Sequence, residues 1–360
     1  MEAILTRFSK RTFSLLALAG LMSPAALAGS KESGHDMLVK SFQQANLWTQ
    51  GPVKMVAHMR LPKGDGTDVN FDYTVSWAGP ERWRAEWTAN GLDQVTVLNN
   101  GKLSYLSNQP APLVQLLQFE AALEALDGGN PAGPYTIPPL DVEKSKIDTS
   151  KKKINNVDAR CVALGDPLET FCIDPATAHI LTLATTISHA EIGSFDYGDY
   201  TSFGPTAYPQ TIKVNYAGKL LEEGKVTVTR GEKFADALFI APEKSTTTDL
   251  PSCADVDRNF TAPRTSKSVP PTISDTLKKA KKYGLVWVLA NVAKDGSVQK
   301  ATVIGGDPDL KMPATDAVQQ YKFTPYMRCG QAVEFQKVVV VPFLPPQTSA
   351  ADQGSVITPR

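Results

Sequence analysis

Between Val53 and Arg230, short segments in which apolar and polar residues alternate follow one another along the chain. A period of two is typical of strands with one buried face, and turn signals such as Asn99-Asn100-Gly101 separate the segments. The pattern predicts an antiparallel meander. Its predicted strands include Val53–Leu61, Val69–Trp77, Arg82–Trp87, Gln94–Leu98, Leu103–Leu106, Ile180–Ile187, Ala190–Tyr200, Gln210–Tyr216 and Lys225–Arg230.

Two helices are predicted beside these strands. Leu38, Phe42 and Ala45 recur at helical spacing before the first strand. A longer apolar stripe from Leu113 to Leu126 interrupts the meander, and Asp127-Gly128-Gly129 ends it. The expected fold class is α+β, with helices packed on an antiparallel meander.

The large apolar side chains of this region have two interpretations. They either line an apolar ligand groove in an open barrel or simply fill the space between the sheet and its helices. Alternation places Trp83 and Trp87 on one face of their strand. The candidate groove residues are Trp77, Trp83, Trp87, Leu116, Phe119 and Leu123.

Composition and charge restrict the classes of function. The chain has 360 residues, of which 42% are hydrophobic and 21% charged, which is typical of a globular protein with about two domains. Lys+Arg and Asp+Glu both number 37. Since nucleic-acid binding depends on neutralising phosphates, a chain without basic excess predicts no nucleic-acid partner.

Residues 1–28 have the three parts of a secretory signal. A basic segment containing Arg7, Lys10 and Arg11 precedes the apolar run Thr12–Met22, and Ala26-Leu27-Ala28 supplies a small-residue cleavage site. The apolar run is shorter than the 20 or so residues that span a bilayer. We therefore expect cleavage after Ala28 and export to the periplasm of a Gram-negative bacterium.

Export gives the four cysteines a structural meaning, because disulfides persist in oxidising compartments. In a hairpin that turns at residues 165–168, Cys161 lies opposite Cys172, within disulfide range. Cys253 and Cys329 are then left to pair with each other. None of the four lies in a C-x-x-C pair, and no metal site is predicted.

A polar, proline-containing segment, residues 244–268, is the predicted linker to a second domain at 269–344, followed by a tail at 345–360. The second domain carries an ordered series of motifs. They are Val269-Pro270-Pro271, a helix over Thr272–Tyr283, strands Leu285–Val292 and Val298–Ile304 around Asp295-Gly296, Gly306-Asp307-Pro308-Asp309-Leu310, Tyr321-Lys322-Phe323-Thr324-Pro325, Gly330-Gln331-Ala332-Val333 and the strand Lys337–Phe343.

In order and spacing, these motifs resemble the C-terminal domain of TonB-family proteins, over residues of about 266–345. The resemblance implies two helices on a three-stranded antiparallel sheet. It also implies that an edge strand binds an extended segment of an outer-membrane receptor by strand addition. The implied edge residues are Gln336, Lys337, Val338, Val339, Val340 and Val341. A second copy of the chain is another candidate to cover this edge, which would form a homodimer.

The first domain resembles, more loosely, the periplasmic lipoprotein-carrier (LolA/LolB-like) superfamily. The resemblance rests on residues 195–200, Gly204, Tyr208-Pro209, the strand Ile212–Tyr216 and Leu238–Pro242. It implies an open antiparallel β-barrel with packed helices over residues 29–243. It also implies an alternative function, in which the barrel groove carries lipid or the acyl chains of lipoproteins.

No catalytic motif is present: the chain lacks G-x-S-x-G, the phosphate-binding G-x-x-x-x-G-K and H-E-x-x-H. We therefore predict a protein that is not an enzyme, with no cofactor and no catalytic residues. The favoured function is a binding protein for a peptide or plug of an outer-membrane transporter.

Overall fold

The computed structural model describes residues 33–62, 67–89, 91–109, 114–128, 147–164, 168–187, 190–216, 218–231, 233–251, 260–261 and 263–343. The predicted signal, residues 1–28, and the predicted tail, residues 345–360, lie outside this part. None of the helices in the described ranges is long and apolar enough to span a membrane.

A thirteen-stranded antiparallel sheet forms most of the described chain. Its strands follow the order β13-β5-β4-β3-β2-β1-β12-β11-β10-β9-β8-β7-β6, and the sheet is open over the described residues. The strands are β1 Val53–Pro62, β2 Asp68–Gly79, β3 Arg82–Ala89, β4 Leu92–Asn99, β5 Lys102–Ser107, β6 Ile147–Ile154, β7 Val157–Leu164, β8 Leu168–Ile173, β9 Ile180–Ile187, β10 Ala190–Phe203, β11 Thr206–Tyr216, β12 Lys219–Arg230 and β13 Thr246–Asp249.

The alternating pattern that predicts these strands also sets their buried face. In β3, Trp83, Ala85 and Trp87 are buried, while the residues between them are partly exposed. Trp87 pairs with Tyr73 of β2 across the sheet, and the two rings stack with centroids 4.2 Å apart. Such cross-strand aromatic pairs fix the register of neighbouring strands.

Two helices pack on the inner face of this sheet. They are α1, Gly34–Ala45, and α2, Val114–Leu126. The Ser33 hydroxyl caps α1 by accepting the Asp36 N–H at 3.0 Å. No residue of α2 is exposed, which is expected of a helix with little separation between apolar and polar faces.

The C-terminal region contains a second, smaller sheet of three strands, in the order β17-β16-β21. Its own apolar cluster includes Val286, Ala314, Val341 and Phe343 and is distinct from the core of the large sheet. The elements of this region are β14 Phe260–Thr261, β15 Thr265–Lys267, α3 Asp275–Lys279, β16 Gly284–Val292, β17 Val298–Gly305, α4 Lys311–Val318, β18 Lys322–Phe323, β19 Tyr326–Arg328, β20 Gln331–Val333 and β21 Phe335–Phe343.

Helix α3 is shorter than the predicted helix over Thr272–Tyr283. It begins only after Ser274, whose hydroxyl accepts the Leu277 N–H at 3.3 Å. It ends before Lys281, which has a positive φ of 51°. Serine favours the cap position and a left-handed residue stops the helical hydrogen bonds, so one turn and a half remains.

The predicted disulfide between Cys161 and Cys172 is confirmed. The two residues are cross-strand partners in β7 and β8, with Cα atoms 3.9 Å apart. Cys329 is also disulfide-bonded, whereas its predicted partner, Cys253, lies outside the described residues. Part of the segment predicted as a linker forms β13 and pairs with β5.

Three contacts join the C-terminal region to the large sheet and α2. Arg328 forms an ion pair with Glu81 at 2.9 Å. The rings of Trp287 and Tyr216 meet edge to face, with centroids 5.1 Å apart. Gly305 approaches α2 so closely that an added Cβ would lie 3.4 Å from Val114.

Candidate functional site

Strand β21 lies at an edge of the C-terminal sheet, and β16 is its one strand neighbour in the described part of the chain. Its nine residues carry one charged side chain, that of Lys337. From Val338 to Phe343 the edge is free of charge. The predicted edge residues Gln336, Lys337, Val338, Val339, Val340 and Val341 all lie in this strand.

The side chains of β21 alternate between two faces. Val339 and Val341 pair with Val288 and Val286 of β16 and belong to the apolar cluster beneath α4. Val338 pairs with Leu289 on the opposite face. Gln336 donates a hydrogen bond to the Asn291 side chain at 3.1 Å. The strand is therefore anchored on β16, and its outer edge carries backbone groups available to a further strand.

The other sheet edges differ from β21 in length or charge. At the ends of the large sheet, β13 has four residues and ends in Asp249, and β6 carries three consecutive lysines. On the far side of the C-terminal sheet, β17 carries exposed Lys300. Charged residues and short length discourage strand addition. Strand β17 has one lysine in eight residues and β21 has one in nine, but β21 has the longest uncharged stretch among the described edges of these two sheets, Val338–Phe343.

The six candidate groove residues are all buried in the core of the large sheet: Trp77, Trp83, Trp87, Leu116, Phe119 and Leu123. Phe119 packs edge to face on Trp87, with ring centroids 6.2 Å apart. It also covers Gly224, where an added Cβ would meet the ring at 2.4 Å. Helix α2 thus occupies the space in which a ligand groove would lie.

A small cavity lies near the C-terminal end of α2. It offers about 20 Å³ to the centre of a water molecule and is lined by Trp48, Met55, Leu126 and Asp127, among others. That volume holds about one water molecule and not an acyl chain. Trp48 donates its indole N–H to Asp127 at 2.9 Å.

Buried carboxyl groups accompany α2, and the sequence analysis missed them. Glu120 accepts the indole N–H of Trp87 at 2.8 Å, and burial raises its pKa to about 7. Burial also raises the pKa of Glu222, on β12, to about 8, and neither of its carboxyl oxygens has a hydrogen-bond partner among the described residues. Desolvation disfavours the charged form in both cases.

Two further carboxyl groups lie where the large sheet meets the C-terminal region. Burial raises the pKa of Glu124, on α2, and of Glu169, on β8, while the Lys337 ammonium opposes both shifts. Lys337 of the candidate edge therefore lies close enough to these groups to act on them electrostatically. One signal in the sequence points to Glu222: it shares the alternation of Val226 and Val228, which face the core.

The described residues contain no group of three His, Cys, Asp or Glu side chains that would suit a metal ion. Asp295 instead caps its own turn, accepting the Ser297 N–H at 2.9 Å. These hydrogen bonds lower its pKa. Gly296 closes the turn with φ of 81°, and an added Cβ would clash with the Phe323 carbonyl.

The comparisons with known proteins divide the chain in two. Residues 270–343 match the family model of the Gram-negative bacterial TonB protein C-terminal domain, which confirms the resemblance drawn from the motifs. No curated protein matches the chain.

Solved structures are similar to the larger part of the chain. A LolA superfamily protein from Nitrosomonas europaea is 12% identical, with a TM-score of 0.40, covering 58% of this chain and 97% of its own. A DUF1329 family protein from Desulfovibrio piger is 10% identical, with a TM-score of 0.41, covering 57% of this chain and 95% of its own.

Proposed function

We propose that the C-terminal sheet binds an extended segment of an outer-membrane transporter, such as its plug, by adding it as a strand beside β21. The chain would act in the periplasm as a binding protein for envelope transport and not as an enzyme. The observation that carries the proposal is the uncharged edge from Val338 to Phe343, within the residues that match the TonB C-terminal model.

Strand addition suits this edge for a physical reason. Backbone hydrogen bonds to β21 would supply most of the affinity, and the alternate side chains of the added strand would supply selectivity. The inward valines anchor β21 on the core of its own region, so the edge needs no rearrangement to accept a partner. A preformed edge loses little conformational entropy on binding.

The test compares two matched variants on the two edges of the sheet. Val338 of β21 and Thr302 of β17 both pair with Leu289 of β16. They therefore lie on the same face, one at each edge. Val338→Lys places on β21 the kind of charge that discourages strand pairing, and Thr302→Lys places the same charge on the control edge.

The probe is a synthetic segment from the plug of an outer-membrane transporter, titrated into the full chain while backbone amide shifts are followed by NMR. We expect shifts along β21, binding about 10-fold weaker for Val338→Lys, and binding within about 2-fold of the unmodified chain for Thr302→Lys. Thermal melts confirm that both variants fold. The proposal is wrong if shifts concentrate on β17, or if a scrambled segment binds equally well.

The alternative, transport of lipid or lipoprotein acyl chains, requires α2 to leave the inner face of the sheet. Phe119 and Leu123 fill that face in the structure. The test is the binding of a fluorescent fatty acid to the full chain and to Trp83→Glu. Binding that the substitution abolishes, together with no amide shifts along β21 when the transporter segment is added, would favour lipid transport over peptide binding.

A further inference from the structure

Strand β6 combines complete pairing with exposure of every residue between its two half-buried end residues, Ile147 and Ile154. All eight of its residues pair with β7, from Ile147 opposite Leu164 to Ile154 opposite Val157. Yet each residue from position 148 to position 153 is exposed. An exposed strand gains little from burial, so its side chains are free to serve another purpose.

Three consecutive lysines occupy the end of this strand. Lys151, Lys152 and Lys153 form no ion pair with any residue that the structure describes. The residues opposite them on β7 are Arg160, Ala159 and Asp158. With Asp148 of β6 and Asp158 of β7 counted against the three lysines and Arg160, a positive excess remains along the edge.

The backbone of β6 is held on a rigid support. The Cys161–Cys172 disulfide cross-links β7 to β8 directly behind it, and Cys161 is the cross-strand partner of Ser150. The disulfide packs with Ala159 in a small apolar cluster of its own. An edge fixed in this way is preorganised for binding, because little freedom remains to be lost.

We infer that β6 is a second docking edge, which accepts an acidic extended segment of a partner protein as an added strand. Consecutive residues of a strand point to opposite faces. Lys152 therefore projects from one side of the sheet, and Lys151 and Lys153 project from the other. A strand lying along β6 would set three consecutive acidic residues beside these three cations.

This geometry fits a polypeptide better than a lipid surface. A planar layer of anionic headgroups meets cations that share one face, whereas the three lysines are divided between two faces. The lysines also oppose uncharged or basic strands, as edge charges generally do. Attraction and exclusion together would select acidic partners, in contrast to the uncharged edge of β21.

The experiment uses the full chain and two synthetic peptides of equal length, Ac-VTEEETV-NH2 and Ac-VTQQQTV-NH2. Binding is followed by backbone amide shifts at positions 148–154 and by fluorescence anisotropy at increasing salt. We expect the acidic peptide to shift these amides, to bind more weakly as salt rises, and to bind at least about 10-fold more tightly than the glutamine peptide.

Two matched triple variants separate local recognition from net charge. Lys151→Gln, Lys152→Gln and Lys153→Gln together should weaken the acidic peptide about 10-fold or more. The control replaces Lys279, Lys294 and Lys311, three exposed lysines of the C-terminal region, by glutamine and removes the same charge. It should leave the affinity within about 2-fold of the unmodified chain.

Three results would overturn the inference. The first is equal binding of the two peptides, and the second is no binding of either peptide. In both cases the lysines serve only to prevent aggregation at this edge. Alternatively, vesicles of phosphatidylglycerol and phosphatidylcholine would bind the chain and depend on the three β6 lysines while the acidic peptide does not. That result would assign the edge to a membrane surface.

Discussion

The two apolar cores of this chain differ in what they contain besides apolar side chains. The core of the large sheet encloses carboxyl groups with raised pKa values, those of Glu120 and Glu222. In the C-terminal region, by contrast, the carboxyl of Asp295 is exposed and that of Asp307 half-buried, and hydrogen bonds lower the pKa of both. The first core loses stability when its acids ionise, whereas the second holds no such group in its cluster.

This difference suggests different roles for the two regions. Beneath β21, Val339 and Val341 pack in an apolar cluster with residues of α4, and close packing holds this part of the candidate edge in one conformation. The large sheet tolerates these buried acids although burial disfavours their charged forms. Stability alone does not explain their presence, so we interpret the interior around α2 as the adaptable part of the molecule.

The largest expected effect comes from removing one buried ring in each core. Phe119 of α2 and Phe343 of β21 are both fully buried, and each change to alanine should lower the free energy of unfolding by about 3–5 kcal/mol. Because α2 also contacts the C-terminal region through Val114, Phe119→Ala should loosen both regions. Phe343→Ala should act mainly on its own region.

Hydrogen exchange followed by mass spectrometry distinguishes the two responses. In Phe119→Ala, the backbone amides of peptides from β1–β12 should exchange faster than in the unmodified chain. In Phe343→Ala, their exchange rates should stay close to those of the unmodified chain. If amide exchange becomes faster by the same factor in all peptides of both variants, the two cores unfold as one unit. The two regions would then not differ in stability.

The second prediction concerns pH and Glu222. Its pKa is about 8 in the folded chain and near 4.5 when unfolded, so between these values only the folded form keeps the proton. The stability tied to this proton is complete below pH 4.5 and is lost as pH rises through 8, by about 1.4 kcal/mol per unit at most. In Glu222→Gln, the total loss of unfolding free energy over this pH range should be smaller by a few kcal/mol.

Urea denaturation at intervals between pH 5 and pH 8.5 gives the slope. The control is Glu223→Gln, the next residue of β12, which faces the other way and pairs with Arg60 at 3.1 Å. It should retain the slope of the unmodified chain. If Glu222→Gln leaves the slope unchanged as well, the carboxyl of Glu222 is already ionised in the folded chain.

Much of this fold follows from local sequence patterns. Alternation predicted the strands of the meander, because one side of the sheet is buried in strands such as β1 and β3. Counting outward from the predicted turn at residues 165–168 placed Cys161 opposite Cys172, because the turn between two antiparallel strands fixes their register.

Other features depend on tertiary contacts that no local pattern contains. The Leu113–Leu126 stripe predicted one apolar face, yet no residue of α2 is exposed, and Val114 at its start lies beside Gly305 of the C-terminal region. To predict that β21 is an edge strand, one must know the order of the strands in the sheet. No local pattern in the sequence gives that order, and only the family resemblance implies it.

The smallest expected effect tests whether the two regions are joined. The Arg328–Glu81 ion pair joins them at 2.9 Å, with side chains only 10% and 25% exposed. Because water screens it weakly, a double-mutant cycle with Arg328→Gln and Glu81→Gln should give a coupling of about 1 kcal/mol. The measurement is urea denaturation of the four proteins at low salt.

The control cycle uses Arg82 and Asp236, whose side chains lie 2.6 Å apart but are 37% and 91% exposed. Solvent screening should reduce that coupling to a few tenths of a kcal/mol. Should both cycles give the same small value, the ion pair between the regions adds nothing to stability. The C-terminal sheet would then be held on α2 by its apolar and aromatic contacts, of which Trp287 on Tyr216 is the next to test.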